Sequence, residues 1–146
     1  MQCALCQEKK CRTGQNCTQF DLKTVTDNYD QEDQRLMRAA AAIEGRHYMK
    51  LSRFEESMKF AQELGCTKIG IAFCVGLSQE ASYIVQYFQK FFAVESVCCK
   101  VCGVDKHEFS LEQIKPDSFE AMCNPAQQAA IFNAANTELN FTIGLC

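Results

Sequence analysis

The chain has 146 residues, a hydrophobic content of 47% and a formal net charge of −3, which favours one domain with a sizeable core. Its 15 Lys and Arg residues are scattered rather than grouped, so we expect no binding to nucleic acid. No apolar run approaches the ~20 residues that cross a bilayer, and no signal peptide is recognisable, which predicts a cytoplasmic protein without membrane contact.

The N-terminal segment, residues 1–20, is polar and contains four of the eleven cysteines, Cys3, Cys6, Cys11 and Cys17. The cytosol keeps thiols reduced, so we expect metal, cluster or redox chemistry rather than a disulfide framework. The spacing C-x2-C-x4-C-x5-C lets all four thiols reach one metal, and both a zinc ion and a [4Fe–4S] cluster are compatible with four thiolates. The uneven spacing differs from the paired C-x2-C of a zinc ribbon and favours the cluster.

Two helices are predicted next. Residues 29–47 are rich in helix formers, and Ser52 with Glu55 has the spacing of a capping box that opens a second helix, with Gly65 as its C-terminal signal. The apolar stripe of the first helix comprises Leu36, Met37, Ala40, Ile43 and His47.

Short apolar strands then alternate with helices. One helix is predicted from Ser78 as N-cap to about Phe92, and another after the N-cap Asn124, with Pro125 at its first position. This alternation is typical of βαβ units. We therefore predict an α/β fold for residues 21–146: a three-layer arrangement of a small parallel, Rossmann-like sheet with flanking helices. The predicted strands are residues 67–73, 94–98 and 139–143.

Cysteines follow each predicted strand. The carboxyl ends of parallel strands lie at one edge of the sheet, which is where open α/β sheets bind their ligands. A free cysteine is also often a small buried hydrophobic residue, and Cys66, at the start of the first strand, fits that interpretation best. Which of Cys98 and Cys99 faces the site follows from strand alternation, but the sequence does not fix the register, so both are included and Cys99 is preferred. The predicted site comprises Cys74, Cys98, Cys99, Cys102, Cys123 and Cys146.

Five runs of residues carry a resemblance to a known family. With these runs and its four N-terminal cysteines, the chain resembles the DUF1847 family of uncharacterised prokaryotic proteins, often labelled metal-binding. The resemblance covers nearly the whole chain and implies metal binding, but no reaction. Family members typically continue past the residues that match 144–146, which leaves open whether this chain is truncated. The matching runs are residues 68–77, 96–103, 120–125, 139–140 and 144–146.

Three functions are compatible with this pattern. The one we expect is a metal-binding, iron–sulfur protein with both cysteine sites, transferring electrons to a redox partner protein. The second is a reductase that uses the sheet-edge cysteines. The third is a zinc-binding protein, or a sensor or carrier of a soft metal. The sequence leaves open whether the chain is an enzyme and what its oligomeric state is.

Overall fold

The structure is a computed structural model that describes residues 1–145. The chain divides into two compact units, Met1–Ala42 and a second unit that begins at Ile43. Within the described residues, no helix is long and apolar enough to span a membrane.

The first unit contains short, locally held elements. Two 3₁₀ turns, Cys3–Leu5 and Lys10–Thr13, precede helix α1, Leu22–Asp27. The Asp21 side chain caps α1 by accepting a hydrogen bond from the Thr24 backbone N–H at 3.1 Å. Every residue from 1 to 35 is exposed, so this part of the chain has no apolar core of its own.

Helix α2, Gln31–His47, matches the predicted helix, but its predicted apolar stripe is partly wrong. Met37 and Ala40 are exposed, whereas Ala39 and Ile43 are buried. Because successive residues of a helix are 100° apart, the stripe runs through positions 36, 39, 43 and 47, and neighbouring positions turn away from it.

The second unit is built on a parallel sheet with the strand order β2-β1-β3. This confirms the predicted α/β fold. The two edge strands pair only with β1, which is the buried centre of the sheet. The strands are β1 Lys68–Phe73, β2 Ala93–Cys98 and β3 Leu139–Ile143, and the further helices are α3 Arg53–Glu63, α4 Ser78–Phe88 and α5 Pro125–Ala135.

The helices cover both faces of the sheet, as the three-layer prediction requires. On one face, Met58 of α3 and Phe88 of α4 pack with Ile69 of β1. On the other face, Phe132 of α5 packs with Ala72 and Val97. Alternate residues of a strand point to opposite faces, so β1 contributes to both cores.

Local capping signals explain where the helices begin. The Ser52–Glu55 capping box is confirmed, and Asn124 caps α5 by accepting from the Gln127 N–H at 3.1 Å. The prediction for α4 is wrong at both ends. Ser78 is its first helical residue rather than its N-cap, since the Ser78 hydroxyl donates to the Val75 carbonyl at 2.5 Å. The helix ends at Phe88, because the following turn returns Phe92 to the core.

Replacement of Gly70 by alanine is expected to destabilise the second unit. An added Cβ would lie 2.9 Å from the ring of Phe132 and would clash with the side chain of Asn140. Such overpacking costs roughly 1–3 kcal/mol of the free energy of unfolding, measurable by chemical denaturation. Gly45→Ala is the control, because that helical position has no atom within 4 Å and should gain ~0.5–1 kcal/mol. Equal stability of Gly70→Ala and wild type would contradict this packing.

Glu138 ties the start of β3 to the start of β1. Its carboxylate accepts hydrogen bonds from the backbone N–H groups of Lys68 at 2.7 Å and Thr67 at 2.6 Å, and from the Thr67 hydroxyl at 3.0 Å. Because these bonds favour the ionised form, they hold the pKa of Glu138 below its usual value.

The stability of the protein should therefore decrease in acid partly through Glu138. A lowered pKa gives a stabilisation that is complete above the unfolded pKa, about 4.3, and is lost as the pH falls through the folded pKa. We expect Glu138→Gln to reduce this acid sensitivity, because an amide oxygen accepts hydrogen bonds but does not titrate. Thermal unfolding between pH 7 and pH 2 measures the loss of stability in acid, and the variant of an exposed residue, Glu44→Gln, is the control. An unchanged profile in Glu138→Gln would be inconsistent with this role.

Candidate thiol site at the carboxyl edge of the sheet

Two of the predicted site residues lie directly beyond the paired strands. In the parallel register, Phe73 is opposite both Cys98 and Ile143, so the three strands end level with one another. The ladder then continues by one hydrogen bond on each side: Cys99 N–H donates to Phe73 O at 2.8 Å, and Cys74 N–H donates to Ile143 O at 3.0 Å. These bonds fix the backbones of Cys74 and Cys99 at the carboxyl edge.

The connections that follow β1 and β2 pack on opposite faces of the sheet. Helix α4, which follows β1, packs on one face, and α5, which follows β2, packs on the other. Ligands of open α/β sheets usually bind outside the carboxyl ends of the strands. Cys74 and Cys99 directly follow two of these ends.

The long loop after β2 returns to the same edge. Asp105 and Ala121 form an antiparallel bridge, and Met122 N–H donates to Val104 O at 2.8 Å. The Lys100 ammonium group donates to Ala121 O at 2.6 Å, which closes the loop. Lys100 thus has a structural role at this edge.

Cys123 is brought to Cys99 by the start of α5. Asn124, the N-cap of α5, donates its backbone N–H to Cys99 O at 2.8 Å. The residue before it, Cys123, is exposed, whereas Cys99 is only 4% exposed. The Cys123 side chain is close enough to raise the pKa of the Cys99 thiol. The two cysteines thus form a buried and an exposed member of one pair.

The environment of Cys99 disfavours its thiolate. Burial raises the pKa of the Cys99 thiol, and the neighbouring thiols of Cys123 and Cys98 raise it further through charge repulsion. The backbone N–H of Val75, which donates to Cys99 Sγ at 3.3 Å, acts in the opposite direction. The net effect keeps Cys99 protonated over a wider pH range than an exposed cysteine.

The other predicted ligands are less closely associated. Cys98 is half-buried, and its sulfur accepts from the Lys100 N–H at 3.4 Å. Cys74 is half-buried beside Gly144, where an added Cβ would lie 3.9 Å from the Cβ of Cys74. Cys102 is exposed, with a φ of 68°, and Cys146 lies outside the described residues.

The N-terminal cysteines lie on tight turns. Cys6 N–H donates to Cys3 O at 3.2 Å, and Lys9 N–H donates to Cys6 Sγ at 3.4 Å. Cys11 lies in the second 3₁₀ turn, and Cys17 Sγ is 3.5 Å from Gln15 O. All four N-terminal thiols are exposed.

Neither group of thiols has the geometry of a closed metal site. Within residues 1–145, no three side chains of the His, Cys, Asp and Glu types form a group that could hold a metal ion. The donors are nevertheless of the right chemical kind, because thiolates are the preferred ligands of zinc and of iron–sulfur clusters.

Comparison with known proteins confirms the resemblance seen in the sequence. A family model described as a protein of unknown function (DUF1847) matches residues 11–146. The chain belongs to the DUF1847 family. An uncharacterized protein of Methanocaldococcus jannaschii is 42% identical over 147 residues, an alignment that covers 100% of this chain and 76% of that relative. No solved structure matches the chain.

Two features of the site in this DUF1847 protein had no signal in the sequence. The first is the Val75 N–H, whose direction depends on the turn after β1. The second is Gln128 of α5, which is 2% exposed. Its Nε2 donates to Val97 O at 2.8 Å, whereas its Oε1 has no hydrogen-bond partner among the described residues. Gln128 thus places an uncompensated acceptor near the end of β2.

We expect alkylation to distinguish the cysteines of this edge. In reduced, metal-free protein at pH 8, Cys99 should react with iodoacetamide at least about tenfold more slowly than Cys123, because it is buried and has a raised pKa. Peptide mass spectrometry over a time course measures both rates. In denaturant the two rates should converge, which serves as the control. Comparable rates in the folded protein would contradict the burial of Cys99.

Proposed function

We propose that this protein binds metal through cysteine thiolates. In this proposal Cys3, Cys6, Cys11 and Cys17 hold a [4Fe–4S] cluster, and a second metal or cluster binds to thiols at the sheet edge. The main supporting observation concerns residues 1–35. This segment contains four cysteines, and all of its residues are exposed, so it has no apolar core to order it.

The N-terminal segment needs a source of order other than a core. Ordering a residue costs about 1–2 kcal/mol of conformational entropy, which exposed polar residues do not recover by burial. Metal–thiolate bonds can supply that free energy, and binding is then coupled to folding. Such a segment does not require four convergent sulfurs before the metal arrives.

Its local hydrogen bonds place two of the cysteines together. The turn Cys3–Leu5 places Cys3 and Cys6 on one loop, and the Lys9 N–H donates to the Cys6 sulfur. In iron–sulfur proteins, hydrogen bonds to the cysteine sulfurs tune the reduction potential of the cluster. An exposed cluster would also be accessible to a redox partner protein, which supports electron transfer as its role.

The second proposed site surrounds Cys99. Metal binding there must displace the thiol proton, and the positive charge of a metal lowers the cost of doing so. The buried Cys99 would be the fixed ligand, and the exposed Cys102 and Cys123 can adjust their positions more readily. The candidate ligands are Cys74, Cys98, Cys99, Cys102, Cys123 and Cys146.

A carrier of a soft metal is the second candidate function. It is favoured by the pairing of the buried Cys99 with the exposed Cys123. An exposed thiol can receive a metal by ligand exchange before the buried one binds it. Zinc is the alternative to iron at either site, because the same thiolates bind both.

Anaerobic purification followed by analysis of iron, sulfide and zinc tests this proposal. We expect about four iron and four sulfide per N-terminal site and an absorbance band near ~400 nm. Cys6→Ser and Cys11→Ser should remove most of that iron. Cys66→Ala, a change at a cysteine packed against the hydrophobic core, should leave it in place.

The outcomes separate the alternatives. A colourless protein with stoichiometric zinc would exclude the cluster and retain thiolate metal binding. Metal that is lost readily to a chelator from the sheet edge alone would favour the carrier. Protein that purifies anaerobically without any bound metal would refute the proposal.

A further inference from the structure

The Cys99–Cys123 pair joins two parts of the chain that differ in their access to solvent. Cys99 follows β2 and is 4% exposed, whereas Cys123 precedes α5 and is exposed. The Cys123 side chain is close enough to raise the pKa of the Cys99 thiol. The hydrogen bond from Asn124 N–H to Cys99 O, at 2.8 Å, holds their backbones side by side.

This arrangement has the requirements of a reversible disulfide. A disulfide needs Cα atoms about 4.4–6.8 Å apart and side chains directed towards each other. The hydrogen bond between Cys99 and the residue after Cys123 brings the two backbones together at the edge of the sheet, which favours such a bond. Cys98 is less suitable as a partner of Cys99, because adjacent residues of a strand point to opposite faces.

We propose that Cys99 and Cys123 are a thiol–disulfide exchange pair, in which the exposed Cys123 attacks a low-molecular-weight disulfide and the buried Cys99 resolves the product. This activity goes beyond the proposed function, since it needs the two thiols but no bound metal. It also excludes metal binding by the same two sulfurs while they are oxidised.

The exchange balances in two steps. The Cys123 sulfur forms a bond to one sulfur of the disulfide R–S–S–R, the S–S bond breaks, and the first R–SH leaves with the proton of Cys123. The Cys99 sulfur then forms a bond to Cys123 and displaces the second R–SH, which takes the proton of Cys99. The protein loses two electrons and two protons, and the disulfide is reduced to two thiols.

The order of the two thiols follows from their exposure. Of the two thiols, Cys123 is the one accessible to a disulfide in solution, and Cys99 is held beside it by the Asn124 hydrogen bond. Reactive thiols are typically partly exposed, with a resolving cysteine nearby. A buried Cys99 also protects the second thiol from direct modification.

Oxidised glutathione is the probe for the full-length protein after reduction and removal of metal by a chelator. Site-resolved mass spectrometry follows each cysteine, and trypsin separates Cys99 from Cys102 by cleavage after Lys100. We expect Cys99 and Cys123 to become linked, with only transient glutathione at Cys123. Fragmentation of the linked peptide distinguishes Cys123 from Cys146.

Serine variants test the two roles. In the Cys99→Ser variant, the reaction with oxidised glutathione should stop at a stable glutathione adduct on Cys123. This adduct should form at the wild-type rate. Cys123→Ser should slow the modification of Cys99 at least about tenfold, because Cys99 is buried. Cys66→Ala, a change at a cysteine packed against the hydrophobic core and outside this site, is the control and should still form the Cys99–Cys123 bond.

Several results would overturn the inference. One is a disulfide from Cys123 to Cys98, Cys102 or Cys146 in place of Cys99. Another is a glutathione adduct on Cys123 that persists in the wild type. The metal content measured before chelation distinguishes failure of this inference from failure of the proposed function. Protein that binds metal but forms no Cys99–Cys123 bond refutes only the inference, whereas metal-free protein that forms it refutes only the proposed function.

Discussion

The carboxyl end of β1 determines the arrangement of the second unit. Its last residue, Phe73, is paired with β2 on one side and β3 on the other, and its carbonyl accepts the N–H of Cys99. The next N–H, of Cys74, continues the pairing to β3. Cys74 and Cys99 therefore lie directly beyond the end of the sheet, and hydrogen bonds to the neighbouring strands hold their backbones there.

Burial and reactivity are divided between residues at this edge. Cys99 is buried and has a raised pKa, so its thiol is the least reactive of this group. Cys123 and Cys102 are exposed and can meet ligands from solution. A buried thiol alone would be an inert packing residue, and exposed thiols alone would lack a fixed partner. Their proximity supports the proposed metal binding and the proposed disulfide exchange.

Much of the fold could be predicted from the sequence because its signals are local. The Ser52–Glu55 capping box and the Asn124–Pro125 helix start depend on neighbouring residues, and both are confirmed. The end of α4 could not be predicted, because Phe92 is placed by packing against distant residues such as Met58. The stripe of α2 was wrong at Met37 because several apolar residues compete for one face.

The same distinction applies to the candidate site. Features that follow from the strand pattern could be predicted, and features that depend on contacts between distant residues could not. That strand-terminal cysteines share an edge follows from parallel pairing alone. Which of them touch depends on the loop that returns Cys123 to Cys99, and on the direction of the Val75 N–H. Neither feature leaves a periodic pattern in the sequence. The geometry of the N-terminal cysteines also lacks such a pattern, because residues 1–35 bury nothing.

The bond network of Glu138 has a consequence for how the chain folds. Its carboxylate reaches Thr67 and Lys68 across 71 and 70 positions of sequence, and such distant contacts make folding slow and cooperative. The start of β1 gains these hydrogen bonds only after the later part of the chain, which contains Glu138 and β3, has docked beside it. The central strand is therefore anchored at its amino end by a carboxylate, whereas the cysteines lie at its carboxyl end.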